Sequence, residues 1–182
     1  IDLLPLCAPG IYCPLGGNAE HILDGVPCEL GHYCPAGTET DSTGSGVVKP
    51  IPCPEGTYND VTGAQFEKHC KFCKAGSYCP GTGETQSDAN LCAPGYYCPM
   101  GSTTSTAIEC PPGHYCEGVG RAYPEPCPSR SFQGLLGQEQ CEQCTEGFYC
   151  NDKGLTDVEG KCKAGYYCPK GSKYRDRLGL FL

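Results

Sequence analysis

Apolar residues in this chain do not recur at the spacing of an amphipathic helix, but gather in a short phrase that is repeated. The phrase reads "CAPGIYCPLGG" from Cys7, "CAPGYYCPMGS" from Cys92 and "CKAGYYCPKGS" from Cys162. Between such phrases the chain is polar, as in "GSTTSTAIE" and "GTGETQSDAN", which is typical of turns and loops. The pattern predicts very short strands joined by loops and no amphipathic helix of useful length.

The repeated phrase is C-x-x-G-x-Y-C, and it occurs seven times. Two further starts, "CPEGTY" and "CPSRSF", lack the second cysteine, and the latter has Arg130 in place of glycine and Phe132 in place of tyrosine. We therefore divide the chain into an apolar N-terminal segment (1–6), nine tandem repeats (7–172) and a C-terminal tail (173–182). Repeats 1 to 9 begin 17 to 25 residues apart, at Cys7, Cys28, Cys53, Cys73, Cys92, Cys110, Cys127, Cys144 and Cys162.

Each part of the phrase has a local role. A proline or a small residue before glycine favours a tight turn in which glycine takes positive φ, and the turn brings the flanking cysteines together. A proline after the second cysteine disfavours helix and keeps the chain extended. The tyrosines could line a binding face, but covering the bridges is the simpler role; they are Tyr12, Tyr33, Tyr58, Tyr78, Tyr97, Tyr115, Tyr149 and Tyr167.

The even count of 18 cysteines favours a disulfide framework. In one scheme each complete phrase closes on itself, which leaves two longer pairs, Cys53 with Cys70 and Cys127 with Cys141. A rival scheme links neighbouring repeats, for example Cys13 to Cys28. The sequence leaves both open. The cysteines are Cys7, Cys13, Cys28, Cys34, Cys53, Cys70, Cys73, Cys79, Cys92, Cys98, Cys110, Cys116, Cys127, Cys141, Cys144, Cys150, Cys162 and Cys168.

Composition indicates that bridges replace an apolar core. Ile, Leu, Val and Phe number 29 of 182 residues, fewer than a chain normally needs to bury enough apolar surface. The predicted fold class is small and disulfide-rich: an elongated tandem array of short cysteine-bridged β-turn and hairpin repeats with almost no helix. In such a quasi-one-dimensional array each module contacts mainly its neighbours.

The cysteine content also predicts the compartment. Disulfides in this number need an oxidising environment, so the chain is expected to be secreted or to lie at the cell surface. No apolar run is long enough to cross a bilayer. The net charge of −8 argues against a nucleic-acid partner. Because the sequence begins at Ile1 without Met, we interpret it as a processed form or a fragment.

The sequence offers little chemistry for catalysis. The pairs Cys70-x-x-Cys73 and Cys141-x-x-Cys144 could each supply half of a zinc site, but separate bridges account for all eighteen cysteines together. No phosphate-binding, dinucleotide-binding or hydrolase motif is present. We therefore expect no enzyme, no metal and no cofactor. The histidines suggest no shared chemistry; they are His21, His32, His69 and His114.

Hydroxyl-rich loops are candidates for O-glycans, with an ordinary solvated loop as the alternative. The first is the run "STTST", made up of Ser102, Thr103, Thr104, Ser105 and Thr106. A second group is Thr38, Thr40, Ser42 and Thr43.

From Cys7 to about Ser172, the C-x-x-G-x-Y phrases resemble the ephrin-receptor-like cysteine-rich (GCC) repeats. The two longer units, "CPEGTYNDVTGAQFEKHCKFC" and "CPSRSFQGLLGQEQCEQC", are similar to cysteine-rich modules of the tumour necrosis factor receptor. The resemblance implies a spacer, a stalk or an interaction surface outside the cell, without catalytic residues.

These observations favour an extracellular structural protein: a stalk, or the subunit of a glycosylated filament or surface appendage. The alternative is a receptor or adhesion ectodomain that binds a protein ligand. The apolar segments "IDLLPL" and "LGLFL" lie outside the cysteine repeats and do not resemble polar caps. We therefore expect head-to-tail contact between copies of this chain. The expected partners are the chain itself or other extracellular proteins.

Overall fold

The computed structural model describes residues 7–13, 25–36 and 49–176, and it divides the chain into two compact units. Unit 1 comprises Ile1–Lys74, Tyr78–Asn90 and Met100–Thr103, and unit 2 comprises Ala75–Ser77, Leu91–Pro99 and Thr104–Leu182. The apolar segment 1–6, His21, the candidate glycan sites Thr38, Thr40, Ser42 and Thr43, and residues 177–182 lie outside the described residues.

Unit 1 is built from two-residue strands that pair as antiparallel hairpins. Strand β1 pairs with β2, β3 with β4 and β5 with β6. The only helix among the described residues is a single 3-10 turn, Glu67–His69. The strands are β1 Ile11–Tyr12, β2 Val26–Pro27, β3 His32–Tyr33, β4 Ile51–Pro52, β5 Thr57–Tyr58 and β6 Lys71–Phe72.

Unit 2 repeats the same arrangement. Strand β7 pairs with β8, β9 with β10, β11 with β12 and β13 with β14, and Ser77 forms an isolated antiparallel bridge with Leu91. The strands are β7 Tyr96–Tyr97, β8 Ile108–Glu109, β9 His114–Tyr115, β10 Glu125–Pro126, β11 Ser131–Phe132, β12 Glu142–Gln143, β13 Phe148–Tyr149 and β14 Gly160–Lys161.

All hairpins of the described residues share one pairing pattern. The fifth and sixth residues of a phrase pair with the two residues immediately before the first cysteine of the next repeat, as Tyr96 and Tyr97 pair with Glu109 and Ile108. Each strand is short because the glycine turn precedes it and the second cysteine follows it. The predicted disulfide-rich hairpin repeats with almost no helix are therefore confirmed.

The nine disulfides follow the self-closing scheme, and the rival pairing between neighbouring repeats does not occur. Their Cα atoms lie 5.7 to 6.2 Å apart, within the usual range. The bridges are Cys7–Cys13, Cys28–Cys34, Cys53–Cys70, Cys73–Cys79, Cys92–Cys98, Cys110–Cys116, Cys127–Cys141, Cys144–Cys150 and Cys162–Cys168.

Cystine also forms the core. Among the described residues, the buried apolar set consists of fourteen cysteines and Ala64. The motif tyrosines are half-buried at the strands, except for Tyr167, which is exposed. The two bulkiest fully buried side chains are polar, namely Asn59 and Gln133. Burial therefore centres on the bridges, as expected for modules too small to form an aliphatic core.

Candidate functional site

The most regular feature of the molecule is a set of four main-chain hydrogen bonds between consecutive repeats. The fourth residue of each phrase, which we call the motif glycine, donates to the seventh residue of the next phrase and accepts from the next first cysteine. In repeats 3 to 9, a second glycine, nine or ten residues after the first cysteine, donates to the first cysteine of the preceding repeat. The residue after this second glycine accepts from the seventh residue of that preceding phrase.

Within unit 1, the junction between repeats 2 and 3 shows the full set. The bonds are Gly31 N–H to Asn59 O at 2.8 Å, Cys53 N–H to Gly31 O at 2.8 Å, Gly63 N–H to Cys28 O at 2.8 Å and Cys34 N–H to Ala64 O at 2.9 Å.

Within unit 2, the junction between repeats 6 and 7 has the same geometry. Its bonds are Gly113 N–H to Gln133 O at 2.7 Å, Cys127 N–H to Gly113 O at 2.8 Å, Gly137 N–H to Cys110 O at 2.8 Å and Cys116 N–H to Gln138 O at 2.9 Å. The set recurs at every junction from repeats 2 and 3 to repeats 8 and 9, and each bond lies within one unit.

The motif glycines of repeats 1 to 6 have no room for a side chain, for two reasons. They have positive φ, for example 78° at Gly95, where a β-carbon is strained. In addition, a β-carbon built at Gly95 would come closer than 3.0 Å to the carbonyl oxygen of Gly137, the second glycine two repeats further on. The same approach occurs at Gly10, Gly31, Gly56, Gly76 and Gly113. Each of these repeats therefore contacts the repeat two places further along the chain, whereas the sequence predicted contacts mainly between adjacent repeats.

Arg130 is the exception in this series. It occupies the motif-glycine position of repeat 7 and keeps the left-handed backbone, with φ of 81°, the only positive φ of a non-glycine residue in the described part of the chain. Its main chain still makes the junction bonds, to Cys150 O and from Cys144 N–H, both at 2.8 Å. The left-handed conformation costs a non-glycine residue about 1 to 2 kcal/mol.

A groove of about 330 Å³ lies in unit 2 beside this exception. Its lining consists of Pro128, Ser129, Arg130, Ser131, Gln143, Lys170 and Gly171. Gly171 is the second glycine of repeat 9, so it holds the position relative to Arg130 that Gly137 holds relative to Gly95. The groove therefore lies where the close glycine contact occurs for the motif glycines of repeats 1 to 6.

Two buried amides complete the variant repeats, and they were not predicted from the sequence. Asn59 and Gln133 stand at the seventh phrase position, where the other seven repeats have cysteine. Both are almost fully buried, with exposed fractions of 0% and 2%. When the nine phrases are aligned, a polar amide stands at a position that is otherwise cysteine, and this substitution was the feature of the sequence that could have revealed them.

The histidines near the motif tyrosines serve local structure. His32 Nδ1 lies 3.0 Å from Leu30 O, and His114 Nδ1 lies 3.2 Å from Pro112 O, so in both residues this nitrogen is placed to donate to a turn carbonyl. His69 differs, because its Nδ1 accepts the Gln65 N–H at 3.0 Å.

The residues of each Cys-x-x-Cys pair belong to different bridges. In the first pair, Cys70 is bonded to Cys53 and Cys73 to Cys79.

Charged side chains form a few surface pairs. Lys71 Nζ and Asp60 Oδ1 are 2.6 Å apart, and this hydrogen bond raises the pKa of Lys71 and lowers the pKa of Asp60. Tyr167 donates to Glu146 at 2.6 Å, and this bond raises the pKa of the Tyr167 phenol. Within the described ranges, no group of three or more His, Cys, Asp or Glu side chains could hold a metal ion.

The candidate O-glycan run differs in exposure along its length. Ser102 is buried, with 9% of its surface exposed, and its carbonyl oxygen accepts the Cys79 N–H at 3.0 Å. Thr103 and Ser105 are half-buried, whereas Thr104 and Thr106 are exposed. The exposed threonines are therefore the positions where a glycan would fit without displacing the chain.

In the parts that the structure describes, no helix is long and apolar enough to cross a membrane.

Comparison with known proteins places similar sequence inside transporters. The chain is 35% identical over 103 residues to ABC transporter G family member 28 of Arabidopsis thaliana, covering 53% of this chain and 8% of that protein. It is 31% identical over 109 residues to ABC transporter G family member 25 of Oryza sativa subsp. japonica, covering 53% and 9%. A shorter match, 40% over 48 residues, is to the ABC-type transporter claG of Penicillium crustosum.

The chain therefore spans less than a tenth of the length of these curated relatives. No protein-family model matches it. The similarity is to a short segment of each transporter.

Proposed function

We propose that this chain is an extracellular structural segment, acting as a stalk-like spacer or as the subunit of a filament. The observation that carries the proposal is the junction of four main-chain hydrogen bonds, which recurs although the loops differ in length and sequence. Main-chain bonds depend little on side-chain identity, so such a junction can be repeated many times while the surface varies. A spacer needs this combination of constant connection and variable surface.

The cystine core supports the same role. Burial around disulfides stabilises each module locally, so order does not depend on one central core. In the relatives, the matching segment is a small part of a much longer chain. A spacer segment would suit that setting, and the resemblance to ephrin-receptor-like repeats agrees with it. The disulfides need an oxidising compartment, which supports a site of action outside the cytosol.

The filament form of the proposal can be tested by sedimentation velocity over rising protein concentration. We expect the full chain to assemble, and we expect a chain trimmed of residues 1–6 and 177–182 to remain monomeric with its bridges intact. Equal assembly of both proteins would show that contact between these segments does not build the filament. A monomeric full chain at every concentration would favour a spacer over a filament.

A receptor or adhesion role is the second candidate, favoured by large apolar side chains on the surface of unit 2. Val119, Leu135 and Leu136 expose 60%, 62% and 56% of their surface. Saturable binding of a protein partner by the monomer, lost on replacing these three residues with serine, would support this role over the structural one.

A further inference from the structure

The side chain at the motif-glycine position of repeat 7 is not explained by packing. Arg130 is exposed, and within the described residues its guanidinium makes no hydrogen bond or ion pair. Its strained backbone is nevertheless retained at a position where glycine would satisfy the same main-chain bonds. The guanidinium itself is therefore the feature that needs a role.

The groove around Arg130 has the charge of an anion site in an acidic protein. The chain carries a net charge of −8, yet the two charged residues that line the groove, Arg130 and Lys170, are both positive. Neither makes an ion pair within the described part of the chain, so both charges are available to a ligand. Two unpaired cations in one cavity attract a negative group.

Neutral groups of the same lining suit a sugar ring. Gln143 and Ser129 also line the groove, and in the described residues neither side chain makes a hydrogen bond. Pro128 adds an apolar surface beside them. The volume of about 330 Å³ is at the small end of ligand sites, near what one ring-sized group needs.

We propose that this groove binds an acidic sugar, a pyranose that carries a carboxylate. The Arg130 guanidinium binds the carboxylate in its two-pronged geometry, and Lys170 supplies the second positive charge. Gln143 and Ser129 bond the ring hydroxyls. The site is independent of the spacer function, because the junction bonds run through the main chain of Arg130 and do not use its guanidinium.

The experiment uses the oxidised full chain labelled with ¹⁵N and observes the backbone amides of residues 129–131 and 170–171. The probes are galacturonate, galactose, which lacks only the carboxylate, and inorganic sulfate, which lacks the ring. We expect saturable shifts with galacturonate that weaken with added salt, and no saturable shift with galactose. Equal binding of galactose would overturn the proposal, as would sulfate binding as tightly as galacturonate.

Variants then test the two cations. Arg130→Gly restores the glycine of the other repeats and should fold with its bridges intact, but it should lose at least about tenfold in affinity for galacturonate. Lys170→Gln should weaken binding similarly. The matched control is Lys153→Gln, at the equivalent position of repeat 8 and outside the groove lining. Unchanged affinity in Arg130→Gly would remove the proposed site.

Discussion

The side-chain amide of Asn59 donates a hydrogen bond at 2.9 Å to the main-chain oxygen of His32, in the preceding repeat. Its own oxygen accepts the Val61 N–H at 3.2 Å, so the buried amide is satisfied on both sides. Asn59 fills the place of a half-cystine, while Cys53 reaches forward to Cys70. A buried amide thus joins two repeats where the short bridge is missing.

Gln133 has the same position in repeat 7, with one difference. Its amide nitrogen donates to Gln140 O at 2.8 Å and its oxygen accepts the Leu135 N–H at 3.0 Å, so both partners lie in the following loop. Here the amide holds the enlarged loop that Cys127 and Cys141 close.

We expect Asn59→Ala to lower the free energy of unfolding by about 1 to 3 kcal/mol, because His32 O and Val61 N–H lose the buried amide as their partner. Denaturant unfolding of the oxidised protein measures the change. The control is Gln140→Ala, since the Gln140 side chain is exposed and its main-chain oxygen is retained. Equal stability of Asn59→Ala and the control would contradict this role.

The variant Asn59→Asp tests the direction in which stability changes with pH. A carboxylate at this position would face the oxygen of His32 and would be desolvated, so we expect the pKa of the introduced group to be raised in the folded state. A raised folded pKa means that the native state holds the proton more tightly. The variant should therefore gain stability, relative to the parent, as the pH falls below neutral. A constant stability difference between pH 4 and pH 8, roughly the window spanned by a free and a buried carboxyl group, would contradict the proposed orientation.

The close glycine contact predicts a difference between two substitutions with similar backbones. Gly95 and Gly118 both have positive φ, 78° and 68°. A β-carbon at Gly118 meets nothing within 4 Å, whereas at Gly95 it meets Gly137 O. Gly118→Ala should therefore cost about 1 kcal/mol from backbone strain alone, and Gly95→Ala clearly more, because the junction must also separate. Similar costs for the two variants in chemical unfolding would show that the contact is not tight.

The sequence predicted the features that depend on residues close together in the chain. The turn at each Pro-Gly or small-Gly step follows from the conformational freedom of glycine. Closing each complete phrase on itself left Cys53 to pair with Cys70, and this self-closing scheme was one of the two that the sequence left open. Asn59 could not be interpreted, because its role depends on His32, 27 residues earlier, whose oxygen comes near only after the hairpins form. Gly63 and its equivalents were also missed, although they follow the first cysteine of their repeats by nine or ten residues, because their bonding partners lie in the preceding repeat. The groove at Arg130 depends on contact across two repeats, which the phrase pattern alone does not encode.

A surface network predicts a shifted tyrosine titration. The Tyr115 hydroxyl donates to Glu125 Oε2 at 2.9 Å, and Arg121 Nη1 lies 2.6 Å from Glu125 Oε1. The hydrogen bond to Glu125 raises the pKa of the Tyr115 phenol, because ionisation would remove the donor and leave two negative groups together. Glu125→Gln should lower that pKa, observed by NMR titration of ring-labelled tyrosine.

The control for this titration is Glu117→Gln, since Glu117 acts on Tyr115 only through weaker charge repulsion. Because the folded pKa is raised, the stability that this bond adds is present at neutral pH and is lost as pH rises through the folded pKa. A larger shift from the Glu117 variant than from the Glu125 variant would exclude the hydrogen bond as the cause.

The proposed spacer function makes a mechanical prediction that rests on the bridges. Seven of them span 6 residues each, and the long ones span 17 and 14, so under tension these loops cannot open while the bridges are intact. Reduction should free them and lengthen the fully stretched chain by on the order of 200 Å, at about 3.3 to 3.6 Å per residue. Single-molecule extension with and without reductant measures the difference.

Reduction should also remove the order that resists stretching. Cystine makes up nearly all of the buried apolar core in the described residues, so the reduced modules have little left to bury. Circular dichroism and protease resistance should therefore be lost after full reduction and alkylation, in parallel with the gain in length. The matched control is alkylation of the oxidised protein, which should change neither length nor protease resistance, because the structure has no free cysteine among its described residues. Persistence of protease resistance after reduction would show that the junction hydrogen bonds alone hold the repeats together, and the bridges would then limit extension without supplying the fold.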